Sequence, residues 1–140
     1  SLVNQFVEFL PKLIAYLILF LIIGSSIISL TSKGISRYDA LKNHWDEIKY
    51  YIDGKTKIKA CSNQSGNCYY VDADISNGVI ERIYFSNGGY LNFDAEIESD
   101  GSAYDYDENG NGWDFELDLG SSLVEDAVYD WASDNGYTIY

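Results

Sequence analysis

The stretch Leu13–Leu30, LIAYLILFLIIGSSIISL, is eighteen residues without a charge, and its reading decides the fold. As a helix rising 1.5 Å per residue it would span roughly 27 Å, close to the hydrocarbon thickness of a bilayer. The apolar character reaches back through Leu2, Val3, Phe6, Val7, Phe9 and Leu10. Beyond the polar TSKGIS, the residues Ile35, Tyr38, Leu41, Trp45, Ile48 and Ile52 recur at helical spacing, one stripe of a helix whose other faces are charged. Ser36, with Asp39 three residues on, reads as its cap. The expectation is one rod over residues 1–53. Residues 1–34 form a hydrophobic transmembrane or filament-core helix, and 35–53 an amphipathic helix that continues the rod and packs on a head. Pro11 and Gly24 are its weak points, because proline removes a donor and glycine costs helix stability. Gly34 is a candidate joint.

From Thr56 the hydrophobic period changes to two, the signature of half-buried strands. Segments 56–60, 68–74, 79–85, 90–98, 102–107 and 113–119 alternate, with Leu91, Phe93, Ala95 and Ile97 the cleanest case. Asn77-Gly78, Asn87-Gly88-Gly89 and Asp100-Gly101 separate them as turn signals. Ser122 with Glu125 then reads as a capping box. Val124, Ala127, Val128 and Trp131 give a buried stripe, and Asn135-Gly136 a helix end. The fold class expected is α+β: a long N-terminal hydrophobic helix, then an antiparallel β-meander head over 54–140 with a C-terminal helix. The Ile35–Ile52 stripe and that helix are the available covers for the apolar sheet face.

Charge is unevenly placed. Residues 1–60 hold eight Lys/Arg and five acids, while 61–140 hold Arg82 alone against 17 acids, a net −16. Such a head repels phosphates, which argues against nucleic-acid partners. Cys61 and Cys68 flank the turn-forming SNQSGN. No competing Cys/His ligand set exists, so they read as a disulfide formed in an oxidising compartment. The chain starts at Ser1 and has no Met, which fits either initiator-Met removal or cleavage of a leader that leaves the apolar segment in place.

Asp105-Tyr-Asp107-Glu-Asn109-Gly110-Asn111-Gly-Trp-Asp-Phe-Glu116 fits the spacing of a calcium loop. Asp105, Asp107, Asn109, Asn111 and Glu116 are the candidate ligands, with a plain Asn-Gly turn as the alternative. Strand alternation would put Asp105 and Asp107 on one face with Asp114, Glu116 and Asp118, a like-charge array that a cation would relieve. His44, the only histidine, falls on the polar side of its helix. With no nucleophile context beside it, no catalytic set emerges and no cofactor is required. Asn63-Gln64-Ser65 is a glycosylation sequon. Thirteen tyrosines suit a sheet surface or an aromatic face that binds sugars or further copies.

The order of parts resembles a type IV pilin or pseudopilin. The resemblance implies a retained apolar half-helix, an amphipathic second half packed on a sheet, an intervening loop and a meander. Gln5 stands where that family carries a glutamate, which leaves Glu8 as the carboxylate one turn on, with Lys12 as its partner. The resemblance implies assembly through Gln5, Glu8, Lys12, Leu13, Tyr16, Leu17, Phe20, Leu21 and Ile27. The function expected is then a structural subunit of an extracellular pilus-like filament, a homopolymer held in the membrane before assembly, and not an enzyme. The alternative is a single-pass, membrane-anchored extracytoplasmic domain that binds calcium, a glycan or a membrane complex.

Overall fold

The computed structural model describes Glu8, residues 10–19 and residues 32–140. The chain divides into two compact units, Ser1–Lys33 and Gly34–Tyr140. In the first, residues 10–19 are helical (α1). Leu10, Leu13, Ile14, Tyr16 and Leu17 are all exposed on it, as are Glu8 and Lys12. Gln5, Phe20, Leu21 and Ile27, and most of the 13–30 span, lie outside the described residues.

The expected rod over 1–53 is not one helix. Lys33–Ile35 is a strand (β1), paired with a C-terminal strand, Tyr137–Ile139 (β8). Helix α2 then starts afresh at Arg37 and ends at Ile48. Ser36 is extended, and its hydroxyl accepts the Asp39 amide at 3.1 Å, so the cap read from the sequence starts a new helix rather than decorating a continuous one. Among the described residues no helix is long and apolar enough to cross a membrane. The single long helix expected over 1–53 is therefore replaced by separate elements, and residues 20–31, which carry most of the transmembrane and filament-core expectation, lie outside the described residues. A short 3-10 turn, Lys49–Tyr51, follows α2.

The strands of the second unit are β2 (Gly54–Ser62), β3 (Cys68–Ser76), β4 (Val79–Tyr84), β5 (Tyr90–Glu96), β6 (Ser102–Tyr106) and β7 (Gly112–Glu116). They form one antiparallel sheet in the order β5-β4-β3-β2-β7-β6. The strands are antiparallel and joined by short turns, but the sheet is not the open meander expected. β7 returns to pair with β2, Ala60 opposite Phe115, which brings β5 and β6 side by side. That seam is held by Asp105, whose Oδ2 accepts the Asp94 amide at 2.7 Å. Nearly closing the sheet hides edges that would otherwise be open to pairing. The interior is filled by alternate residues, with Ala60, Ala73, Ala95 and Ala103 interleaved among Ile58, Val71, Ile83, Phe93 and Phe115. Small and large side chains together fit a six-stranded bore.

Helices α2 and α3 (Ser122–Asn135) cover one end of this near-barrel rather than one face. The Trp45 indole donates to the Ile97 carbonyl at 3.2 Å, Gly78 lies against the Lys49 backbone, and Gly54 lies under Leu123. All three barrel positions belong to the same rim. Between the helices, the buried Trp131 stacks on Tyr137 (5.0 Å) and donates to Glu47 at 2.9 Å. His44 lies 4.7 Å from that indole, so it is a packing residue between helices rather than a purely solvated one. Tyr38, expected on the buried stripe, is 70% exposed, and Ala40 is buried instead. The kink at His44, φ −127°, rotates the stripe. The α3 cap is Ser121, one residue before the expected Ser122.

Candidate functional site

Strand alternation decides which residues face water. β2 sends Ile58, Ala60 and Ser62 inward and Lys57, Lys59 and Cys61 outward. Register then aligns outward residues in rows across the sheet. In one row Lys55 lies opposite Asp74, which lies opposite Arg82; in the next Lys57 faces Asp72, which faces Tyr84. Cations in these rows are spoken for. Lys55 is 3.8 Å from Asp74 and sits 4.3 Å over the Tyr84 ring, Lys57 is 3.3 Å from Asp72, and Arg82 donates to Asn92 at 2.7 Å.

The row nearer the far end is different. Tyr70 lies opposite Lys59, and Lys59 opposite Glu116. Among the described residues, neither Lys59 nor Glu116 makes an ion pair within 4.0 Å. Tyr70 is 76% exposed and forms a wall shared by two shallow clefts. One, of about 380 Å³, is lined by Lys57, Lys59, Tyr70, Glu116 and Asp118. The other, of about 270 Å³, is lined by Lys57, Tyr69, Tyr70, Asp72, Tyr84 and Phe85. The site therefore offers a rigid ring, an ammonium donor and a carboxylate acceptor on adjacent strands, with a second aromatic group alongside. A ligand that presents an apolar face and several hydroxyls matches that set.

A wider groove of about 700 Å³ lies at the helix-covered end, lined by Arg37, Tyr38, Leu41, Lys42, Asp100 and Leu119. Its charged groups Arg37 and Asp100 are already engaged. Arg37 donates to the Leu119 carbonyl at 2.6 Å and approaches Glu125 at 3.8 Å. Asp100 accepts from the Ser102 amide and hydroxyl, bonds that hold its carboxyl below the usual range.

The acidic loop has another role than the calcium site expected for Asp105, Asp107, Asn109, Asn111 and Glu116. Asp107 is buried. Its Oδ1 accepts the Asn109 and Asn111 amides at 2.9 and 3.0 Å, and its Oδ2 the Trp113 indole at 3.1 Å. Burial pushes this carboxyl up, but the donors at Asn111, Trp113 and Asn109 together hold it below the usual range. Asp105 is turned to the seam. Glu116 stands opposite Ser102, and Tyr104, not Asp105, faces Asp114. The like-charge array that would call for a cation is therefore absent. Among the described residues no group of three or more His, Cys, Asp or Glu is placed to hold a metal ion. Spacing alone misassigned the parity: the Asp105 and Asp107 positions share the inward side with Ala103 and Trp113.

Asp107 instead anchors an aromatic lid over the far end of the barrel. Trp113 lies 6.1 to 6.3 Å from Tyr69, Phe85 and Phe93, and Phe93 4.8 Å from Phe115. Cys61 and Cys68, directly opposite one another, form the expected disulfide on the outer face of the adjoining hairpin. Tyr70, Lys59 and Lys57 were not singled out by the sequence. Alternation with Tyr69, Val71 and Ala73 already put Tyr70 outward, but only the pairing register sets it beside Lys59 and Glu116. Comparison with family models, curated proteins and solved structures finds no match to this chain.

Proposed function

We propose that this chain is a non-catalytic binding domain that works in an oxidising compartment and takes a neutral carbohydrate on the outer sheet face at Tyr70. The observation that carries the reading is the row Tyr70, Lys59 and Glu116: an exposed ring beside a donor and an acceptor that, among the described residues, make no ion pair. Tyrosine supplies a large, rigid contact surface at little entropic cost. A sugar ring can lie against it while its hydroxyls bond the flanking ammonium and carboxylate. The net charge of −13 disfavours anionic ligands and leaves neutral ones unaffected. The Cys61–Cys68 disulfide supports the compartment.

Glycan-array screening of the full chain, followed by calorimetry, tests the reading. Tyr70→Ala should weaken binding of the selected sugar roughly tenfold or more, a loss of about 1.4 kcal/mol or above. Its melting temperature should stay within about 2 °C of the parent, because so exposed a ring contributes little to stability. Parent-like affinity in Tyr70→Ala would remove the site from this face.

A further inference from the structure

We infer that Asn63 is a site of N-linked glycosylation and that the attached sugar is seated on Tyr104 and Tyr106. Asn63-Gln64-Ser65 carries the acceptor pattern, and the structure gives it three properties that a chance match lacks. First, Asn63, Gln64 and Ser65 are all exposed and lie at the turn where β2 ends. Second, the turn lies inside the Cys61–Cys68 loop, so the chain matures in the kind of compartment where this modification is made.

The third property is a seat. The Asn63 amide bonds the Gly112 carbonyl at 3.0 Å, which extends the β2–β7 ladder by one residue, and Gly112 lies opposite Tyr106. Because residue 112 has no side chain, the Tyr104 ring leans across β7. A Cβ there would collide with the Tyr104 hydroxyl and meet Asn63 Nδ2 at 3.1 Å. Asn63 Nδ2 lies 3.4 Å from that hydroxyl. Tyr106 stands edge-on to Tyr104 at 5.3 Å, and both rings are exposed, at 59% and 46%. A sugar leaving Nδ2 thus meets an aromatic surface at its first residue, and covers apolar area that water now contacts.

The co-reactant is a lipid phosphate- or pyrophosphate-linked oligosaccharide. Asn63 Nδ2 forms a bond to the sugar's C1 while the C1–O bond to phosphate breaks. The phosphate leaves with the bonding pair, and the amide loses one proton to base.

Peptide mapping by mass spectrometry of the protein from its producing cells tests the assignment. The peptide containing Asn63 should carry a hexose- or acetylhexosamine-based mass that is lost in both Asn63→Gln and Ser65→Ala and kept in Ser65→Thr. Recovery of that peptide at its unmodified mass overturns the proposal, as does a glycan on a hydroxyl instead. For the seat, Tyr104→Ala should retain the glycan, and enzymatic deglycosylation should lower the melting temperature of the parent but not of Tyr104→Ala. Equal shifts in the two would refute the seat.

Discussion

Replacing Asp107 by alanine separates the two roles that its loop could play. In the parent, one buried carboxylate satisfies two turn amides and the Trp113 indole. Hydrogen bonds to a charged acceptor contribute about 1.5–3 kcal/mol each, but they share one desolvated group, so they do not add. Leaving the indole N–H buried without a partner is the least recoverable loss. The two amides lie in an exposed turn and can turn to water. A net cost of about 3 kcal/mol follows, which for a unit of this size lowers the melting temperature by about 12 °C. The effect also depends on pH. The folded carboxyl titrates below its unfolded value, so its contribution is complete above pH about 4 and is lost as pH falls through the folded pKa. Asp107→Ala should therefore differ most from the parent near neutrality and converge with it in strong acid. Thermal melts followed by tryptophan fluorescence, from pH 7 down to about 2, read both effects. Glu116→Ala, at an exposed position with no ion pair among the described residues, should stay within about 0.5 kcal/mol of the parent. A melting temperature for Asp107→Ala within about 2 °C of the parent at neutral pH would refute the anchoring role. So would a large loss in Glu116→Ala together with a calcium-induced rise in melting temperature that the parent shows and the variant lacks.

Reduction of the disulfide, or the Cys61→Ser and Cys68→Ser pair, should cost about 2.5 kcal/mol. That is the chain-entropy value for so short a loop, and it is read as a drop in denaturation midpoint. Gly101→Ala should cost about 2–3 kcal/mol, because residue 101 has φ +86° and a Cβ there would collide with the Leu117 carbonyl oxygen. Gly110→Ala, at φ +82° but with nothing within 4 Å, should cost only about 1 kcal/mol, both glycine variants being read by urea titration.

Local patterns in the sequence were reliable wherever one residue's neighbours determine its conformation. Asn77-Gly78 makes its turn with positive φ at both residues, 51° and 78°. Gly136 ends α3 in the left-handed region, and Ser36 caps α2. What the sequence hid depends on partners far along the chain. Barrel near-closure rests on β7 meeting β2, some fifty residues apart, and nothing in the alternation of either strand specifies that pairing. Helical periodicity on both sides of TSKGIS suggests a continuous rod but does not show that Lys33–Ile35 has a strand partner in Tyr137–Ile139. The calcium spacing is incomplete for a related reason. Donors from Asn109, Asn111 and Trp113 already use the Asp107 oxygens, and a spacing rule counts oxygens without asking what they accept. Tyr70 was legible as an outward residue, but its neighbours Lys59 and Glu116 come from two other strands.

The most direct test of the central claim is a nuclear magnetic resonance titration of the isotope-labelled chain with a sugar selected on the array. The account predicts shifts concentrated at Tyr70, Lys59, Lys57 and Glu116, with the Arg37 and Tyr38 groove unmoved. Saturable shifts centred on that groove, or no saturable shift with any selected sugar, would contradict it.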